Sequence, residues 1–184
     1  MTHFIKTLVM LFVCFNLVPA QTEELSPEIK ALLDLNIKKI KALSIDSVIV
    51  AAVKKYNAAP PSKMTNGVWA KLTLLSPQVT EITNSDISAY LKTKQTAMIT
   101  EMFVNGADGG KVAFLLKTTF WNHKGKPKHD VPMHGDMWIG PLEIDASTGA
   151  YQIQAAIPVL DGNTPIGSIV IGFGLVQMKK TIKH

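Results

Sequence analysis

The hydrophobic period of this chain changes once, near residue 98, and the change sets its fold class. Before it, Ile29, Leu32, Leu33, Ile37 and Ile40 recur at the spacing of one helix face. They follow Ser26-Pro27-Glu28, where a capping hydroxyl, a first-turn proline and an early carboxylate mark a helix start. A second start falls at Ser44 to Asp46, and Val48, Ile49, Ala52 and Val53 continue the pattern until Asn57-Ala58-Ala59-Pro60-Pro61 stops it. A short helix is expected around Trp69 within Gly67 to Leu75, and another from the Ser85-Asp86 cap through Tyr90 and Leu91, ending before Lys94. Beyond residue 98, Met98 to Asn105 and Lys111 to Thr119 read as strands joined by the turn Gly106-Ala107-Asp108-Gly109-Gly110. Ala150 to Leu160 and Ile166 to Val176 read as a last pair, joined through Asp161 to Pro165. Between them, Asn122 to Gly140 reads as a long polar loop with two prolines and three histidines. Helices first and strands second predict an α+β domain: helices, then an antiparallel sheet of about five strands.

The first twenty residues stand apart. A charged head, Met1 to Lys6, precedes the apolar run Thr7 to Val18, and Val18-Pro19-Ala20 offers small residues for cleavage before Gln21. Residues 1–20 therefore read as a signal peptide and residues 21–184 as one exported domain, periplasmic or secreted. The run is shorter than the roughly 20 residues a bilayer span requires. The one cysteine, Cys14, leaves with the signal, so the domain must be held by its core rather than by disulfides. With 47% apolar and 18% charged residues the chain is not of disordered composition, and a net charge of +5 is too diffuse to indicate nucleic-acid binding. All 19 basic residues are lysines, so the bidentate guanidinium fork is absent. No further run is long enough for a membrane anchor after cleavage.

Enzymatic signatures are missing. The exported chain has no cysteine nucleophile, no Gly-x-Ser-x-Gly elbow, no glycine-rich strand-to-helix loop and no Cys-x-x-Cys-His haem motif. It reads as a non-enzyme without a cofactor.

A series of segments then carries a family resemblance. Ser44-Ile45-Asp46-Ser47-Val48-Ile49-Val50-Ala51-Ala52-Val53-Lys54, the Trp69 helix, Ile99-Thr100-Glu101-Met102-Phe103-Val104 and Thr118-Thr119-Phe120-Trp121 occur in that order. Ile144-Asp145-Ala146-Ser147, Tyr151 to Val159 and Pro165 to Gly172 follow. The whole resembles the PDC branch of the Cache superfamily, PAS-like sensor domains outside the bacterial membrane. The resemblance covers nearly all of residues 21–184. It implies a single Cache domain, a long N-terminal helix packed on a PAS-like antiparallel sheet with a small-molecule pocket between the sheet and its covering loops, reporting in signal transduction to a membrane receptor or sensor kinase in trans. The family's acidic segment after the aromatic pair is replaced here by Asn122-His123-Lys124-Gly125, and Thr119 stands where an Asp is usual. A cationic ligand is therefore not implied.

The residues themselves suggest a site in the loop and the strand after it. Trp121, Trp138 and Tyr151 offer flat apolar walls, Gln152 and Gln154 can donate and accept, and His123, Lys126 and His129 can oppose an anionic group. Alternation puts Tyr151, Ile153, Ala155 and Ile157 on one strand face and Gln152 and Gln154 on the other, and periodicity does not say which packs on the helix. Two alternatives stay open. One is an envelope protein–protein interaction domain with a self-filled pocket. The other is metal binding through His123, His129 and His134, whose spacing matches no closed site.

Overall fold

The computed structural model describes residues 25–183, so the expected signal segment lies outside the described residues. Helix α1, Pro27–Ile40, begins where expected: Ser26 Oγ accepts from Ile29 N and Pro27 opens the first turn. A 3-10 turn over Lys41–Ile45 leads into α2, Ser47–Ala58, whose cap Asp46 accepts from Val48 N at 3.0 Å and Ile49 N at 3.3 Å. Asp46 does more than cap. Its second oxygen accepts from the Tyr90 hydroxyl at 2.7 Å and stands 3.8 Å from Lys94 Nζ, pinning α2 to the later helix that carries both residues. Three short helices follow: α3 (Asn66–Lys71), α4 (Pro77–Thr83) and α5 (Asp86–Lys94).

The sheet has five antiparallel strands: β1 (Ile99–Gly106), β2 (Lys111–Phe114), β3 (Trp138–Ile144), β4 (Tyr151–Asp161) and β5 (Thr164–Gly174), in the order β2-β1-β5-β4-β3. Its two faces differ in kind. Met102, Val104, Ile153, Ala155, Ile157, Ile169, Ile171 and Phe173 face α1 and α2 and pack with Ile29, Leu33, Ile37, Ile49 and Val53. Burying each large aliphatic side chain is worth about 1.5–3 kcal/mol, so this face is the main source of stability. The opposite face carries a smaller cluster of Trp69, Phe103, Phe114, Trp121, Ala156 and Val170, and beside it a group of buried polar side chains.

Three expectations need correction. The segment Asn122 to Gly140 is not one loop: Pro127–Met133 forms helix α6, started by Pro127, and β3 begins at Trp138. The short helix carries Pro132 inside it, and the edge strand carries Pro141, so both escape simple periodicity. Strand β2 stops at Phe114 rather than Thr119, and the chain leaves β5 at Gly174 to form α7, Leu175–Ile182, where a strand to Val176 was expected. Among the described residues no helix is long and apolar enough to cross a membrane.

Candidate functional site

Two bulges decide which side chains reach the polar face. Opposite the single step from Phe173 to Gly172 on β5, β1 spends two residues from Ile99 to Glu101, and the extra residue is Thr100. Ile99 thus stays in the helix-side core while Glu101 lies on the other face. On β2 the register runs from Ala113 to Lys111 against adjacent residues of β1, so Val112 is the extra residue and Lys111 pairs with Asn105. Without that bulge, strand alternation would place Lys111 beside Ala113 on the apolar side.

The polar group then assembles into two connected sets. In the first, Glu101 Oε2 accepts from Gln154 Nε2 at 2.6 Å and Gln152 Nε2 at 3.2 Å, while Thr100 Oγ1 donates to Gln152 Oε1 and Lys128 Nζ to Gln154 Oε1. Gly172 makes room for this. A Cβ there would stand 2.2 Å from Gln152 Oε1, so the glutamine amide lies flat on the backbone of β5. In the second set, Lys111 Nζ lies 2.6 Å from Asn105 Oδ1 and 2.5 Å from His123 Nδ1, Asn105 Nδ2 donates to Ser168 Oγ, and Ser168 meets His129 Nδ1 at 2.9 Å. The His123 ring stacks on Phe103, centroids 4.9 Å apart.

A cleft of about 190 Å³ opens onto this floor, bounded by Glu101, His123, Lys128, the Thr118–Phe120 segment and the β3–β4 turn from Glu143 to Ser147. Asp145 shapes that turn by accepting from the backbone N–H groups of Ser147 and Thr148 and from both their hydroxyls. Burial pushes the Asp145 carboxyl up, but these bonds outweigh it and hold the group below its ordinary range. Glu101 goes the other way: burial, then Asp145, raise it against the opposing pull of Lys128 and the two glutamines. Lys111 is fully buried and held well below the usual lysine range by desolvation. His123 is pushed down to about 2 by burial and then by Lys111, and His129 is lowered, again chiefly by burial. The cleft therefore offers the Lys128 ammonium and a neutral imidazole to an acceptor, and the carboxylates and hydroxyls of its rim to a donor.

The residues singled out from sequence are distributed unevenly. His123 lines the cleft, and Gln152 and Gln154 form its buried floor. Trp138 is half-buried opposite Ala156, on the same face. His129 is buried one layer below, on Ser168. Trp121 is buried against Trp69, with centroids 5.3 Å apart, inside the aromatic cluster. Tyr151 is 46% exposed. Lys126 is exposed beside Phe120, and it is Lys128, one helical position inside α6, that reaches the glutamines. The three histidines do not converge on a common point. His123 faces Lys111, His129 faces Ser168 and His134 Nδ1 lies on the Asp130 carbonyl, and no group of three metal-binding side chains occurs among the described residues. Sequence reading missed Glu101, Lys111, Asn105, Lys128 and Ser168. The available signal was the intrusion of Glu101 and Asn105 into an apolar strand.

No family model matches the chain, and no curated protein matches it. Among solved structures it is similar to the Vibrio cholerae histidine kinase DctB sensor domain, at 20% identity and a TM-score of 0.46, over 85% of this chain and 61% of that one. It is also similar to the sensory domain of the Campylobacter jejuni chemoreceptor Tlp3 with isoleucine bound, at 14% identity and 0.43, over 86% and 68%. A third is the Escherichia coli DcuS sensor domain, at 18% identity and 0.43, over 66% and 100%. All three are sensor or sensory domains.

Proposed function

We propose that the chain is an exported, non-catalytic sensory module that captures a small polar or anionic metabolite in the cleft beneath α6 and presents the bound state to a separate membrane receptor or envelope partner. The observation that carries the reading is the buried polar face of the sheet. Glu101, Gln152 and Gln154 are buried where apolar residues would pack at lower cost, at and under the cleft, and Asn105 and Ser168, also buried, join it through Lys111 and His123. Lys128 is the mobile part of the set: half-buried on α6, it can exchange Gln154 Oε1 for a ligand oxygen without leaving the cleft. Such an exchange would shift α6 and the β3–β4 turn, the two surfaces that flank the opening.

The alternative, a protein-interaction domain with a self-filled pocket, is favoured by one fact. Among the described residues no buried side-chain nitrogen or oxygen lacks a hydrogen-bond partner. The two readings separate in a thermal-shift screen of the purified protein against carboxylates, amino acids, purines, amines and divalent metals. A ligand at about 100 times its Kd stabilises by about 2.7 kcal/mol, a rise of roughly 5–10 °C for a domain of this size. The ligand-binding reading expects a saturable rise of that order with one chemical class, lost in Lys128→Met and Gln154→Leu. No shift with any class, or a shift indifferent to both substitutions, would refute it in favour of partner binding.

A further inference from the structure

Lys111 has no counter-ion: among the described residues no carboxylate lies within 4 Å of its ammonium, although the side chain is fully buried. Its partners are neutral, Asn105 Oδ1 and His123 Nδ1. Lys111 Nζ donates to Asn105 Oδ1, Asn105 Nδ2 donates to Ser168 Oγ, and Ser168 Oγ meets His129 Nδ1 at 2.9 Å. Both directed bonds run away from Lys111. Charged or neutral, Nζ carries at least two N–H groups: one goes to Asn105 Oδ1, and donating a second to His123 Nδ1 leaves neither orphaned in the buried site, so the imidazole proton sits on the other nitrogen. With Phe103 flat against the ring and Lys111 on Nδ1, the edge of His123 left to the cleft is the Nε2 edge.

We propose that Lys111 is a positioning residue for this site: by donating to His123 Nδ1 it locks the imidazole in the neutral Nε2–H tautomer, so that the cleft presents an oxyanion with a fixed, uncharged N–H donor beside the Lys128 ammonium. The inference rests on the ligand-binding reading for its purpose, but the tautomer itself does not require a ligand. It also gives the site a sign. A ligand oxygen is accepted at His123, and a ligand N–H group in that place meets another N–H. The groups facing His123 are Lys111 from β2, Lys126 preceding α6, Lys128 and His129 on α6, and, across the cleft, Glu101 on β1 and Asp145 in the β3–β4 turn. The four named on the β2 and α6 side all disfavour an imidazolium, as burial does, so the donor stays neutral through pH 5–8.

The test is a long-range proton–nitrogen correlation spectrum of the ligand-free protein labelled at histidine nitrogens. His123 is expected to show an unprotonated Nδ1 and a protonated Nε2, unchanged from pH 8 to pH 5. In Lys111→Met the Nε2–H preference should be lost, giving a mixture of tautomers or the reverse one. Should Lys111→Met fail to fold, the wild-type spectrum decides alone: an Nδ1–H tautomer, or a doubly protonated His123 at pH 5, overturns the proposal. A folded Lys111→Met protein that retains the wild-type pattern overturns it too. Failure of the ligand reading would show instead in the thermal-shift screen, with the His123 spectrum as expected.

Discussion

Gly172→Ala is a substitution that strand propensity alone would call harmless, yet it should destabilise the protein by about 2 kcal/mol. The backbone at Gly172 does not have a positive φ, so alanine is locally acceptable and would by itself stabilise by about 0.4–1 kcal/mol through the unfolded chain. The added Cβ, however, meets the whole Gln152 amide: Oε1 at 2.2 Å, Cδ at 2.7 Å and Nε2 at 3.0 Å. A glutamine at the surface would swing away at little cost, but Gln152 is fully buried. Moving its amide forfeits the donation to the Glu101 carboxyl, worth about 1.5–3 kcal/mol as a bond to an ionisable group, and the bond from Thr100, worth about 0.5–1.5 kcal/mol. Subtracting the chain-entropy gain leaves about 2 kcal/mol. The cause can be isolated in a double-mutant cycle. In a Gln152→Ala background the obstructing amide is gone, so Gly172→Ala should be neutral or mildly stabilising, giving a coupling of about 2 kcal/mol between the two sites. Urea unfolding of the four proteins at pH 7 measures each term. Additivity within about 0.5 kcal/mol would refute the claim that Gly172 exists to seat Gln152.

Two further outcomes follow from groups placed above. Asp46→Ala should cost about 1–2 kcal/mol from the lost α2 cap, with more from the stranded Tyr90 hydroxyl, read as a lower urea midpoint; Asp46→Asn should restore part of the cap, and equal losses in both would count against the capping role. Acidification should destabilise the fold through His123. Its folded pKa of about 2 lies below the unfolded value near 6.5, so the unfolded chain alone binds the proton in between, and stability, complete above about pH 6.5, falls by about 1.4 kcal/mol per pH unit below it. Urea unfolding at pH 7.5, 5.5 and 4.5 should show a shallower acid slope in His123→Phe than in wild type, and parallel slopes would contradict the buried neutral imidazole.

How legible the molecule was in its sequence depended on whether local signals agreed with packing. Ser26-Pro27 and Asp46 were readable as helix starts because a cap acts within one turn. The antiparallel pair β4 and β5 was readable because Ile153, Ala155 and Ile157 alternate with Gln152, Gln154 and Ala156 without interruption. Which of those faces packed on α1 was decided only by tertiary contact. Strand β3 was hidden because an edge strand with Gly140 and Pro141 buries little on either side. Lys126 and Lys128 have the same chemistry, and only the turn of α6 brings the second over Gln154. Lys111 shares strand parity with Ala113 and Leu115, so alternation points it at the wrong side of the sheet until the bulge at Val112 is known.

That bulge and its counterpart at Thr100 make the site a matter of chain length as much as of side-chain chemistry. Each extra residue reverses the parity of the strand on one side of it: Thr100 at the start of β1, where Ile99 keeps to the helix side and Glu101 to the other, and Val112 at the start of β2, where Lys111 comes to pair with Asn105. Losing Val112 would keep every functional group in the sequence and turn Lys111 toward the layer of Ala113, placing its amine in the main core. A substitution on the floor therefore changes what the pocket can hold, whereas a change of a single residue in the length of β2 changes which layer of the molecule Lys111 serves. Register fixes which side chains this pocket can use, and composition decides what they do there.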